Sequence, residues 1–148
     1  MSQPVSESSH LRLSLATVAV FAAMGLWLEA MFGLRLSGWV DDPLRREFLR
    51  LGHAHGALIG IANLGLSWAM SRLGTPPAWA ARVRIAGIAA AVCVGLGFFG
   101  GGIWHAAHDP GPLVLIVPAG AMMFVAAVVA VAMVRPRGDD QSRPNNDS

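Results

Sequence analysis

The chain has 148 residues, of which 54% are hydrophobic and 14% are charged, and its formal net charge is +2. Soluble domains carry about 25% charged residues, so this composition excludes an ordinary water-soluble domain and indicates a membrane protein. The charge is too small and too scattered along the chain to indicate nucleic-acid binding. A single cysteine, Cys93, excludes an internal disulfide.

Four apolar runs predict the domain organisation. We expect a flexible N-terminal tail over residues 1–11, a membrane domain over residues 12–134 and a disordered, polar C-terminal tail over residues 135–148. Each run contains close to the roughly 20 residues that a helix needs to cross about 30 Å of hydrocarbon. The predicted fold is therefore all-α, an integral membrane antiparallel four-helix bundle. The predicted helices lie approximately at residues 13–34, 43–72, 82–107 and 112–134.

Turn and cap residues separate these helices in chain order. Asp42 followed by Pro43 predicts a helix N-cap and a proline in the first helical turn. The sequence LGTPPAW at residues 73–79 predicts a turn, and HDPGP at residues 108–112 predicts the end of the third helix. Pro118 predicts a kink in the fourth helix.

The distribution of arginine predicts the orientation of the chain. With four spans, both tails and the second loop lie on one side, which carries seven arginines, whereas the other side carries four. The positive-inside rule then places both termini in the cytoplasm, and we expect a multi-pass protein of a bacterial inner (plasma) membrane. The larger set is Arg12, Arg72, Arg82, Arg84, Arg135, Arg137 and Arg143, and the smaller is Arg35, Arg45, Arg46 and Arg50.

Most histidines, together with the one carboxylate inside a span, fall at one predicted depth toward the outer leaflet. Ionisable residues inside a membrane commonly serve a function, so we interpret this cluster as a candidate site. The fifth histidine, His10, falls in the predicted cytoplasmic tail and is interpreted as incidental. The residues of the cluster are Glu29, His53, His55, His105, His108 and Asp109.

Helical periodicity predicts where these side chains point, because successive residues advance by about 100°. Each of the first three helices has a stripe of small residues beside its ionisable ones, and small residues are where membrane helices pack closely. We therefore expect the ionisable side chains to face the bundle interior, with His53 and His55 about 200° apart on either side of their stripe. The stripes are Ala22, Gly25, Glu29 and Gly33; Gly52, Gly56, Gly60 and Asn63; and Gly97, Gly101, His105 and His108.

Histidines from facing helices can bind haem iron, for which neutral imidazole is a standard axial ligand. We expect His55 to be one axial ligand of a haem b, His105 or His108 to be the other, and small residues to make room for the macrocycle. Glu29 is the candidate catalytic residue, which balances charge or carries protons to a quinone-like partner, and Arg50 or a histidine is its expected ion-pair partner. The cofactor-binding candidates are His53, His55, His105 and His108.

A directly bound metal ion in a redox role is the second interpretation of the same cluster. Zinc and copper both accept histidine nitrogen and carboxylate oxygen as ligands. The sequence contains no HExxH motif, which disfavours hydrolytic chemistry. The candidate metal ligands are His55, His105, His108 and Asp109.

Two further interpretations need no cofactor, and enzymatic activity stays open among all of them. The chain could be a non-enzymatic accessory or scaffold subunit that associates with itself or with a larger membrane complex. Its histidines would then bind loops and water near the lipid headgroups. Alternatively, it could be a small transporter that uses Glu29 as a proton-coupled carboxylate.

Resemblances to known families support these interpretations. The segment around Ala54, His55 and Gly56 resembles the second helix of the catalytic subunit of haem-copper oxidases, where the histidine of a Thr-Ala-His-Gly-like stretch ligates the low-spin haem; Gly52 and His53 replace the usual preceding residues. That resemblance implies a haem ligand at His55 without oxidase chemistry. The whole pattern also resembles small four-span bacterial membrane proteins with a HAHG motif. A glutamate in the first of four spans is similar to the small multidrug-resistance transporters.

Overall fold

The computed structural model describes residues 7–39 and 41–134, and this part of the chain is helical with no β-strand. The predicted all-α class is thus confirmed for the described residues. The predicted tail at residues 135–148 lies outside them, as do residues 1–6. The elements are α1 (Glu7–Gly33), α2 (Pro43–Arg72), α3 (Pro77–Ile103), a 3-10 segment (Pro112–Ile116) and α4 (Val117–Ala132).

Two helix boundaries agree with the predicted cap at Asp42 and the predicted turn at residues 73–79. Helix α2 begins at Pro43, and the Asp42 side chain accepts a hydrogen bond of 2.9 Å from the backbone N–H of Arg45. This N-cap satisfies one of the backbone donors that the first helical turn leaves unpaired. Helix α2 ends at Arg72, and the turn that follows contains Gly74 in the left-handed region, with φ 61°.

Other boundaries differ from the predictions. Helix α1 already begins at Glu7, so residues 7–11 are helical rather than part of a flexible tail. Helix α3 runs from Pro77 to Ile103 instead of residues 82–107, because proline fits the first helical turn and Trp104 leaves helical geometry. Pro118 lies in the first turn of α4 rather than in the interior of the helix. In the first turn its missing N–H breaks no helical hydrogen bond.

Three segments are long and apolar enough to cross a membrane: α1, α3 and the continuous stretch Pro112–Ala132. Helix α2 is 30 residues long but more polar, so it is not among them. It contacts both α1 and α3, and its Asn63 and Ser67 side chains are buried. The most polar helix is therefore covered by protein on two sides.

Glycines allow α1, α2 and α3 to approach closely. A side chain at Gly52 would place its Cβ 2.8 Å from both the Gly95 carbonyl oxygen and the Phe99 backbone nitrogen of α3. The Phe21 ring of α1 lies directly against Gly56 of α2 and Gly95 of α3. The predicted packing role of the glycines in α2 is confirmed by these contacts.

Buried apolar side chains of α2, α3 and α4 form two clusters along the helices. The outer surfaces carry many exposed aliphatic side chains, among them Leu26 at 75% and Leu115 at 77% exposure. Such a surface fits lipid rather than water, in agreement with the membrane character of the composition. The clusters comprise Leu66, Met70, Ala80, Val83, Ala127 and Val131, and Ile59, Ala90, Ala91 and Val94.

Candidate functional site

His53 points from α2 toward α1. Its Nδ1 lies 3.2 Å from the carbonyl oxygen of Phe21, and its ring fills the space beside Gly25, where a Cβ would approach to 2.5 Å. Gly25 is buried at this contact. The imidazole therefore occupies the gap between α1 and α2 that the small residue leaves open.

His55 points to the other side of α2. Its Nδ1 lies 2.9 Å from the carbonyl oxygen of Leu51, one turn earlier in the same helix, and its ring centroid is 5.2 Å from that of Phe98 on α3. The prediction that His53 and His55 lie on opposite sides is confirmed. In both residues a Nδ1–H that donates to the carbonyl leaves the lone pair on Nε2, the nitrogen that a metal or haem iron would need.

His105 and His108 lie beyond α3, so the predicted stripe that joined them to Gly97 and Gly101 is wrong. Helix α3 ends at Ile103, and a loop replaces the predicted last turn. The backbone N–H of Gly111 in this loop donates to the Gly101 carbonyl at 2.8 Å. Their spacing along the chain therefore does not place the two histidines on one face of a helix. His108 and the neighbouring Asp109 are exposed.

His105 instead contacts the start of α2. Its Nδ1 lies 2.7 Å from the Ala106 carbonyl oxygen, and its Nε2 lies 2.8 Å from Oδ2 of Asp42. The second contact is close but not aligned as a linear hydrogen bond. Both nitrogens thus face oxygen acceptors, an arrangement that the doubly protonated imidazolium satisfies.

Asp42 is the centre of a network that ties the loops together, which we call the loop network and define as Trp39, Asp42, Arg45 and His105. The Arg45 guanidinium donates 2.6 Å to the Gly38 carbonyl and lies 5.5 Å from the centroid of the Trp39 ring. The backbone N–H of Arg45 lowers the pKa of Asp42 below its ordinary value, and the nearby charges of His105 and Arg45 act in the same direction. The network therefore favours an ionised carboxylate.

Glu29 does not point into the interior. It is exposed, as is its expected partner Arg50, and Glu29 makes no ion pair within residues 7–39 and 41–134. The prediction of an inward-facing stripe on α1 is wrong, because only Gly25 of its four members is buried. The buried positions of α1 repeat about every 3.5 residues, which leaves Glu29 beside the contact rather than in it. These positions are His10, Ser14, Phe21, Gly25 and Leu28.

A metal site built from three or more ligands does not form among the described residues. No group of three His, Cys, Asp or Glu side chains there lies close enough to share an ion. His55 faces Phe98, His105 faces Asp42, and His108 and Asp109 are exposed. The four predicted metal ligands are therefore not gathered by the part of the fold that the structure describes.

A haem between α1, α2 and α3 does not fit the observed packing. The small residues that were expected to make room for the macrocycle already contact other side chains. The Phe21 ring fills the space at Gly56 and Gly95, and the His53 ring fills the space at Gly25. The haem ligation at His55 stays a prediction from the sequence.

The polar contacts that sequence reasoning missed lie at the other end of α2. We define the His10 cluster as His10, Ser14, Asn63 and Ser67, all of which are at most 2% exposed. Nδ1 of His10 lies 2.5 Å from the Ser67 hydroxyl oxygen, and the Ser14 hydroxyl donates to the His10 carbonyl at 2.9 Å. Two signals could have found the cluster: the four-residue spacings of His10 with Ser14 and of Asn63 with Ser67.

Comparison with known proteins adds no relative. No protein-family model matches the sequence, and searches among curated proteins and solved structures also give no match.

Proposed function

We propose that the chain is a multi-pass protein of a bacterial inner membrane and serves as a non-enzymatic accessory subunit that associates with a second copy through α1. In this proposal the four helices form an antiparallel bundle with both termini in the cytoplasm. Helix α2 is the fourth span, and contacts with α1 and α3 compensate for its polar residues. The burial of Asn63 and Ser67 supports this, because polar groups of membrane helices face protein rather than lipid.

The observation that carries the association is the exposure of Glu29. The residue lies in the last turns of α1, which is long and apolar enough to span a membrane. A carboxylate that faces hydrocarbon costs about 2.5–3.5 kcal/mol at the centre of a span and less toward its ends. A contact with another protein surface would remove that cost.

The face of α1 around Glu29 suits such a contact. Its neighbours Ala22, Leu26 and Gly33 are exposed, and two of these three are small residues spaced along the helix. Small residues let the backbones of two membrane helices approach closely, and a polar side chain between them can form an interhelical hydrogen bond. A second copy of the same helix supplies both features by symmetry.

Cysteine cross-linking in native membranes tests this proposal. The native Cys93 is first replaced by serine, and Leu26→Cys then places a thiol on the Glu29 face. The matched control is Val20→Cys, because Val20 is also exposed on α1 but lies about 180° around the helix from Glu29. We expect a cross-linked product of twice the chain mass for Leu26→Cys and no such product for Val20→Cys.

Replacement of Glu29 gives a second measurement on the same background. In the Leu26→Cys chain, Glu29→Ala should reduce the yield of cross-linked dimer, because it removes the hydrogen-bonding side chain from the contact. Equal cross-linking of the two cysteine variants, or a monomeric mass for both, contradicts the proposal.

A further inference from the structure

The His10 cluster joins three helices through buried polar atoms. His10 comes from α1 and is 0% exposed, and Asn63 and Ser67 come from α2 and are 0% and 2% exposed. Asn63 also reaches α3, where its amide donates to the Gly87 carbonyl at 2.9 Å. An ionisable side chain held this way within a membrane protein is costly to bury and is generally retained for a function.

Two hydrogen bonds fix the orientation of the Asn63 amide. Its Nδ2 donates to the Ile59 carbonyl at 3.0 Å and to the Gly87 carbonyl at 2.9 Å. Gly87 is needed for this approach, because a Cβ there would collide with Oδ1 of Asn63. With both amide hydrogens used, Oδ1 is left as an acceptor that is fully buried and has no aligned partner among the described residues.

The imidazole of His10 is the group that this acceptor fits. Nε2 of His10 is likewise fully buried without an aligned partner in the described part of the chain. The two side chains lie close enough to influence each other, and an amide oxygen can only accept a hydrogen bond. A hydrogen on Nε2 satisfies both atoms, and the lone pair then lies on Nδ1, where it accepts the Ser67 hydroxyl at 2.5 Å.

We propose that His10, Ser67 and Asn63 form a buried proton-binding site. Asn63 holds the neutral ring in the Nε2–H form, and a proton from hydronium in the solvent adds to the Nδ1 lone pair in place of the hydrogen that the Ser67 hydroxyl donates there. The Ser67 hydroxyl then turns from donor to acceptor, and a helical serine can donate its hydrogen to the carbonyl four residues earlier. The ring gains one proton and one positive charge, and no covalent bond between heavy atoms changes.

The charged group that faces the site from α3 is Arg84, which lies near enough for its charge to act on the imidazole. Both groups carry positive charge once the proton is bound, so proton uptake repels the guanidinium. This proton-binding site does not depend on the association proposed for α1.

Nitrogen-15 NMR of the full chain in lipid nanodiscs, with labelled histidine, tests the proposal. His10→Gln assigns the signal. We expect a neutral ring that carries its hydrogen on Nε2 near pH 8 and a reversible change to the doubly protonated ring as the pH falls, with unchanged helix content by circular dichroism. Two results in the wild-type protein would each overturn the proposal. One is a neutral ring with its hydrogen on Nδ1, and the other is no protonation before the helices unfold.

Ser67→Ala measures the role of the hydroxyl. The doubly protonated ring loses its acceptor on Nδ1, and hydrogen bonds to charged groups are strong, so the midpoint of the His10 titration should fall by about one pH unit. The matched control is Ser71→Ala, one turn further along α2, where the side chain is exposed and the midpoint should not change. An unchanged midpoint in Ser67→Ala would show that the Ser67 contact only packs the helices and would contradict the proposed site. A shift in both variants would also contradict it.

Discussion

His105 and Asp42 connect the loop after α3 to the N-cap of α2, with 2.8 Å between Nε2 and Oδ2. Because Asp42 also accepts the backbone N–H of Arg45, one carboxylate serves both as a helix cap and as the partner of an imidazole. The contact holds together two loops that are far apart in sequence. Replacement of Asp42 removes both contacts at once, so its effect on stability should be the easiest to measure in the loop network.

Asp42→Ala should lower the stability of the folded chain by about 1 kcal/mol, because it removes the N-cap of α2, and the lost contact with His105 adds to this. Thermal unfolding in mild detergent, followed by circular dichroism, measures the change. Asp41→Ala is the control, since Asp41 is exposed and its replacement should leave the midpoint within error. Equal effects of the two substitutions would show that the cap and the His105 contact contribute nothing.

The dependence of stability on pH follows from the lowered pKa of Asp42, whose largest cause is the hydrogen bond from the Arg45 backbone. The carboxylate is more acidic in the folded chain than in the unfolded chain. Its stabilising contribution is therefore fully present above the ordinary value of 3.8 and is lost as the pH falls through the lower folded value. We expect the difference in melting temperature between wild type and Asp42→Asn to shrink as the pH falls below 3.8. A difference that grows in acid would contradict this assignment.

Gly52→Ala should be strongly destabilising, because the new Cβ would lie 2.8 Å from backbone atoms of Gly95 and Phe99 that cannot rotate away. Overpacking of this kind costs about 1–3 kcal/mol. Gly65→Ala in the same helix is the matched control, since a Cβ added at Gly65 would meet nothing within 4 Å. Helix propensity alone makes the Gly65 variant equal to or more stable than wild type. Unfolding midpoints of the two variants in one detergent decide between close packing and mere helix propensity.

Haem binding at His55 is decided by an absorption spectrum of protein purified from cells supplied with haem precursor. The Phe21 ring occupies the space at Gly56 and Gly95, so we expect no Soret band in the purified protein. A Soret band that survives in His108→Ala and disappears in His55→Ala would contradict that expectation. It would restore the sequence prediction of an axial ligand at His55.

Several features of this protein could be read from the sequence because they depend on local physics. Composition indicates the membrane, and apolar runs of sufficient length predict helices, since backbone groups in hydrocarbon must bond within their own segment. Asp42 and Pro43 predict the start of α2 because a cap is a contact between residues three positions apart. The opposed directions of His53 and His55 follow from 100° per residue, which holds wherever the helix is regular.

The tertiary structure alone decided which polar side chains meet. Glu29 and His10 both lie on α1, yet His10 is buried and Glu29 is exposed, because the face that packs on α2 is set by Phe21, Gly25 and their contacts across the interface. The sequence pattern favoured Glu29 as the inward-facing ionisable residue of α1. It did not indicate His10, because the burial of His10 depends on its contact with Ser67, 57 positions away. The surroundings of His105 likewise depend on where α3 ends. Because α3 ends at Ile103, one turn before the predicted end, His105 contacts the N-cap of α2 instead of lying on a face of α3. Local propensity fixes the helices, whereas contacts between distant residues place the chemistry.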